Sequence, residues 1–276
     1  KAGKTAKNAI AKKLLVSLFI LTSFFFVASA HAATYHMTTN GSGSCTESSP
    51  CGTFAKAFPL LRAGDTLMVH GGTYAQTFNA NNFTLSNGTA SARITVRNAP
   101  GETVWVIPNG GSEIFNLTKN QYWTFIGINV NGRNLSSGPW TSAGFSIPSH
   151  NVTLQDLVVK DISNASAQAP GIGVAGGGEL GHQLKLINVT VDGTHKRFGD
   201  HDGSHCSYVG GDPLVDGGEY HNCGGAGIQY NDSALAANYP TGGIIRNAKV
   251  HNNGRCTGSQ CHGGFSCIVL YSNQRN

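Results

Sequence analysis

The chain has 276 residues, 12% of them charged, with 37 glycines, seven cysteines and a formal charge of +5. Ordinary soluble domains carry roughly a quarter charged residues. Half that, with abundant Gly, Asn, Val, Ile and Thr, argues against helices and for short strands joined by tight bends. The positive charge is no nucleic-acid footprint. Lys1, Lys4, Lys7, Lys12 and Lys13 hold five of the basic residues, and the rest of the chain balances fourteen basic against fourteen acidic ones, with no cluster that would mark a basic face.

In chain order, the first segment reads as an export signal. The lysines precede an apolar run over 14–28, and Ala30-His31-Ala32 follows with small residues where cleavage requires them. The run is 15 residues long, short of the roughly 20 needed to span a bilayer, so cleavage after Ala32 is expected rather than retention as an anchor. Residues 33–276 then form one domain, expected to be secreted, or periplasmic or at the cell surface, and monomeric. No second apolar run of spanning length follows. Cys45 and Cys51 bracket a short loop, 51–58 (CGTFAKAF) forms a helical turn or two, and 63–74 (AGDTLMVHGGTY) leads into strands.

Beyond this point the chain repeats. Segments starting at Phe125, Leu154, Leu186, Val215 and Ile245 align, with starts 29, 32, 29 and 30 residues apart. The first column is apolar. A bend residue stands two positions on: Gly127, Asp156, Asn188, Gly217, Asn247. A strand of alternating character follows, with Val130, Val159, Val191, Tyr220 and Val250 pointing inward and polar neighbours outward. A second, less regular strand precedes each segment. Such a unit is one coil of a solenoid, whose apolar face is buried only by stacking on its neighbours. A propeller blade takes roughly forty residues or more, and an antiparallel sandwich gives no reason for a fixed period. The expected fold is an all-β, right-handed parallel β-helix of about 30 residues per coil, with a short N-terminal capping helix and further coils missing at the C-terminus. Its open end would expose Ile268 and Leu270. Asn188 and Asn247 are placed to bond adjacent coils through their amides.

The remaining cysteines suit an oxidising compartment. Cys256 and Cys261 bracket a loop, Cys206 and Cys223 form a further pair, and Cys267 is left odd, although Cys261 could instead choose Cys267. Zinc held by Cys256, Cys261, His262 and Cys267 is the minor alternative.

The string at 63–74, with FAKAF at 54–58 before it, resembles the opening coils and capping helix of the pectate-lyase-like superfamily of secreted right-handed β-helix proteins. The resemblance runs from about Thr38 to the end of the chain. It implies a carbohydrate substrate: many members cleave acidic polysaccharides by β-elimination, often with calcium, while others hydrolyse glycosidic bonds or only bind. Lys or Arg commonly supplies the base and the positive charge there. No segment of this chain matches one catalytic motif residue by residue.

Two places could hold chemistry. The seventh column of the repeat reads Asn131, Lys160, Asp192, His221, His251; these side chains face outward on rungs about 4.8 Å apart. Lys160, Asp192, His221 and His251 are the expected catalytic set, although an ordinary solvated face would look the same. The loop 195–205 adds His201 as a further catalytic candidate. It also offers Lys196 and Arg197 for an anionic sugar, and Asp200 and Asp202 as oxygen donors for calcium. Trp140, in a loop, is the expected sugar platform; Trp123 is expected to be partly core. The Asn-x-Ser/Thr sequons at Asn116, Asn151 and Asn188 follow from the repeat's composition. Together these residues favour a polysaccharide lyase, or a glycoside hydrolase, over a non-catalytic glycan-binding or adhesion solenoid.

Overall fold

The computed structural model describes residues 32–111, 113–118, 120–133, 143–162, 170–176, 179–180, 182–193, 205–231, 242–254 and 267–271. Three sheets run along the domain, parallel except for the antiparallel pair Ser42–Thr46 and Ser49–Cys51 at one end of the first, and each coil from Thr66 onward contributes one short strand to each sheet. The first sheet has ten strands, running through Thr34–Met37, Thr66–Val69, Ile94–Asn98, Trp123–Ile126 and Thr153–Gln155 to Ile244–Arg246. The second and third have seven each. The second runs from Gly72–Ala75 to Lys249–His251, and the third from Phe78–Asn79 to Ile268–Tyr271. The expected parallel β-helix is therefore the fold.

The bend column works as the sequence implies. Gly127, Asp156, Asn188, Gly217 and Asn247 all adopt positive φ, between 51° and 76°. That left-handed conformation suits Gly, Asn and Asp and turns the chain from the first sheet to the second within one or two residues. The amides stitch rungs together: Asn188 Nδ2 donates to Asp156 Oδ1 (2.8 Å) and Asn247 Nδ2 to Asp216 Oδ1 (2.8 Å). A second left-handed column ends the second-sheet strands at Asp161, Gly193, Asn222 and Asn252.

Inward side chains stack rung on rung. Phe115 and Phe145 are register partners with rings 5.1 Å apart and nearly parallel, and Phe125 packs edge-on to Phe145 at 5.7 Å. The core positions Val130, Val159, Val191 and Tyr220 are fully buried. Trp123, expected to be partly core, is wholly so: none of it is exposed, and its indole N–H donates to Ser86 O. The N-terminal end is closed by the helical turn Phe54–Ala57 and the 3-10 turn Phe58–Leu60. Thr53 caps the first by accepting from Lys56 N, and Phe58 lies against Phe78, Trp123 and Phe125. Burying a Phe of this kind contributes about 1.5–3 kcal/mol, which stabilises the rungs it covers. In the last coil Ile244, Ile268 and Leu270 are exposed.

Two disulfides form as expected, Cys45–Cys51 and Cys206–Cys223, and Cys267 is free and exposed. Cys256 and Cys261 lie outside the described residues, as do residues 1–31 of the segment read as an export signal. Among the described residues no helix is long and apolar enough to cross a membrane.

Candidate functional site

The outer face of the second sheet carries the column read from the repeat. Register pairs Asn131 with Lys160, Lys160 with Asp192, Asp192 with His221 and His221 with His251, without a slip. Each residue stands just before a connection to the third sheet, so the column runs along the edge of the face. Asn131 is buried and its amide is spent, Oδ1 accepting from Arg133 N (3.0 Å) and Nδ2 donating to Asp161 Oδ2 (3.4 Å) on the next rung. The other four are half-buried.

The structure gathers three of the four expected catalytic residues. His221 and His251 stack with ring centroids 5.1 Å apart and planes 17° from parallel. His221 Nδ1 lies 3.6 Å from Asp192 Oδ1, and Asn222 Nδ2 reaches both, at 2.8 Å from the imidazole and 2.7 Å from the carboxylate. His251 Nε2 is 2.7 Å from Glu219 Oε1. This bond, followed by the nearby charges of His221, His251 and Lys249, holds the Glu219 carboxyl below its ordinary range against a smaller opposing effect of desolvation. A carboxylate only accepts, so the proton in the His251–Glu219 bond sits on Nε2, and a neutral His251 keeps its lone pair on Nδ1. With Asn222 Nδ2 as donor, a neutral His221 carries its proton on Nε2.

Lys160 does not join this group. Its ammonium stands 4.6 Å from the centroid of the Trp105 ring, leaning toward the N-terminal coils and away from the histidines two rungs on. Trp105 and Glu219 were not singled out by the repeat. Trp105 precedes the first aligned segment; its signal is the Val104-Trp105-Val106 alternation, which turns a large aromatic outward. Glu219 sits in an outward column, two residues before His221 and register-paired with Lys249.

Trp140, Lys196, Arg197, Asp200, His201 and Asp202 lie outside the described residues. Among the described residues no group of three His, Cys, Asp or Glu side chains is arranged to hold a metal ion.

No protein-family model and no curated protein matches the sequence. Solved structures do. Pectate lyase Pel9A superposes with a TM-score of 0.58 over 86% of this chain at 18% identity. What the two share is the fold, a parallel β-helix. Fainter likenesses are to a rhamnogalacturonan lyase (TM-score 0.44, 14% identity, 88% of this chain) and to the GH136 lacto-N-biosidase from Eubacterium ramulus (0.43, 11%, 80%). The chain spans 57%, 64% and 55% of those three proteins. In a β-helix, as in any solenoid, outward residues on successive rungs form a strip along the axis.

Proposed function

We propose that this chain is a secreted, carbohydrate-active β-helix that binds an anionic polysaccharide along the outer face of the second sheet and cleaves it by β-elimination. The observation that carries the reading is the stacked pair His221 and His251, each tied through one ring nitrogen by a polar side chain. One ring is left as an acceptor and the other as a donor.

Elimination removes the proton beside a uronate carboxylate and expels the oxygen on the adjacent carbon. In this reading His251 Nδ1 takes the C5 proton, the C–H electrons become the C4=C5 double bond, and the C4–O4 bond breaks. His221 Nε2–H donates a hydrogen bond to O4 as it leaves, and O4 takes its proton from solvent water, the hydroxide so formed being neutralised by the proton that His251 releases. Glu219 orients His251 and offsets the charge it gains. Lys249, on the His251 rung, and Lys160 meet uronate carboxylates, while Trp105 offers a flat apolar face for a sugar ring.

The test presents the full chain with a panel of uronate polymers, with and without added calcium, and follows ultraviolet absorbance of the unsaturated product. Absorbance should rise on at least one polymer, and His251→Ala should lower the rate by about 10²–10⁴-fold. Lys160→Ala should mainly raise KM. Rising reducing ends without the unsaturated product would mean hydrolysis. A second reading, a glycan-binding solenoid without catalysis, is favoured by the turn of Lys160 toward Trp105; retention of polymer with flat absorbance and unchanged reducing ends would select it.

A further inference from the structure

Asp192 and Asn222 take no part in the bond-making steps above, yet both touch His221. Asn222 belongs to the left-handed column that ends the second-sheet strands, at φ 60°, a conformation open chiefly to Gly, Asn and Asp. Asp192 is the register partner of His221 on the rung before. The amide of Asn222 stands between the two, with Nδ2 2.7 Å from Asp192 Oδ1 and 2.8 Å from His221 Nδ1. Asp192 and His221 themselves are 3.6 Å apart at their nearest atoms, too far for a direct hydrogen bond. Whatever the carboxylate does to the ring's hydrogen bonding therefore passes through the amide.

A carboxylate offers acceptors only, and an amide has one donor end and one acceptor end. Turned over, Asn222 would set its oxygen against Asp192 Oδ1, acceptor on acceptor. Asp192 thus decides which end of the amide faces inward. The amide nitrogen carries two hydrogens; one goes to Asp192 and the other to His221 Nδ1, which must present a lone pair. A neutral His221 then has its proton on Nε2. The same diagonal occurs earlier in the solenoid with the two residue types exchanged. Asn131 Nδ2 donates to Asp161 Oδ2 at 3.4 Å, again across thirty residues, and there the register partner beside the bend is Lys160 rather than a histidine. The fold accepts either order of amide and carboxylate. Only the order at 192 and 222 places a donor on the histidine.

We propose that Asp192 and Asn222 are positioning residues that together fix the Nε2–H tautomer of His221. The use of that tautomer, a neutral donor held toward the leaving oxygen, rests on the elimination reading; the tautomer itself does not. A bend residue chosen for its backbone thereby also sets the chemistry of the ring beside it.

Nitrogen NMR of the imidazoles tests this on the full chain, labelled at histidine and held at alkaline pH where the rings are neutral. The His221 signals are those lost in His221→Gln. The decisive variant exchanges the pair, Asp192→Asn with Asn222→Asp, which conserves charge and repeats the order already present at 131 and 161. It should move the His221 proton from Nε2 to Nδ1, because a carboxylate at the bend only accepts. Asp192→Asn alone frees the amide to turn and should add a share of the Nδ1–H form. In cleavage assays the exchanged pair should lower kcat by about 10²–10³-fold, as for a lost transition-state donor, with KM changed by less than about threefold. The proposal is overturned if the parent's His221 carries its proton on Nδ1, if the exchanged pair leaves it on Nε2, or if that variant cleaves as fast as the parent. The tautomer is read without polymer, so the two readings fail separately: a parent that cleaves nothing sinks elimination, and an unmoved proton sinks this assignment.

Discussion

Gly217 and Gly218 are adjacent, both have positive φ (76° and 83°), and the structure predicts opposite fates for them. A Cβ on Gly217 would meet only Asn188 Cα and N at 3.7 Å, ordinary contact. A Cβ on Gly218 would overlap the Val189 carbonyl oxygen and lie 2.7 Å from Val189 N, both backbone atoms of the rung beneath. Gly218→Ala must therefore force two rungs apart where Glu219 N–H donates to Val189 O (3.1 Å). Left-handed strain, overpacking and a weakened ladder bond together cost about 3–6 kcal/mol. In a domain of this size that is a fall of roughly 6–24 °C in thermal midpoint. Gly217→Asn repeats what the column already holds at 188 and 247, and its loss of unfolded-state freedom offsets the residual strain, so the midpoint should stay within about 2 °C. Far-ultraviolet circular dichroism melts of both variants decide the matter. A Gly218→Ala protein melting within about 2 °C of the parent, or a Gly217→Asn protein falling as far as Gly218→Ala, would refute the claim that rung contact sets the requirement.

Three further outcomes follow from the same coordinates. The Asp216 carboxyl is held low by Arg246 and then Asn247, Glu219 by His251, and Glu102 by the Gly71 backbone N–H and then His70. A depressed folded-state value stabilises the fold fully above the unfolded value and loses that contribution as pH falls through the folded one. Melting temperature should thus hold down to about pH 4.5 and decline below it, with a shallower decline in Asp216→Asn. Replacing Cys206 and Cys223 by Ala opens a cross-link of separation 17 and should cost about 3 kcal/mol in urea unfolding, against about 2 for Cys45 and Cys51 at separation 6; equal losses would contradict the loop-entropy reasoning. A double-mutant cycle on Trp105 and Lys160 should show a coupling of about 0.5–2 kcal/mol, and additive single losses would mean that the cation contributes nothing at the ring.

Repetition is what made so much of this protein legible in one dimension. A coil is stable only against copies of itself, so the inward column 130, 159, 191, 220, 250 and the bend column must recur in phase, and that phase also aligns Lys160, Asp192, His221 and His251 before any coordinates are known. The positive φ at Asn188 and Asn247 was readable for the same reason. Tertiary structure alone decided what each outward side chain does once aligned. Lys160 has a long, flexible stem and could have reached either neighbour; packing beside Trp105 turned it away from the histidines. Glu219 became the partner of His251 because parallel register sets it beside Lys249, one rung below and two residues back, a diagonal that a column-by-column alignment does not show. The long connection between Asn79 and Ile94 was equally silent in sequence, since it breaks the period and is held by two bonds to Gln121 and one from Trp123 rather than by a repeated pattern. Periodicity determines the scaffold because every rung must satisfy the same packing, whereas side-chain direction and loop anchorage depend on contacts made only once.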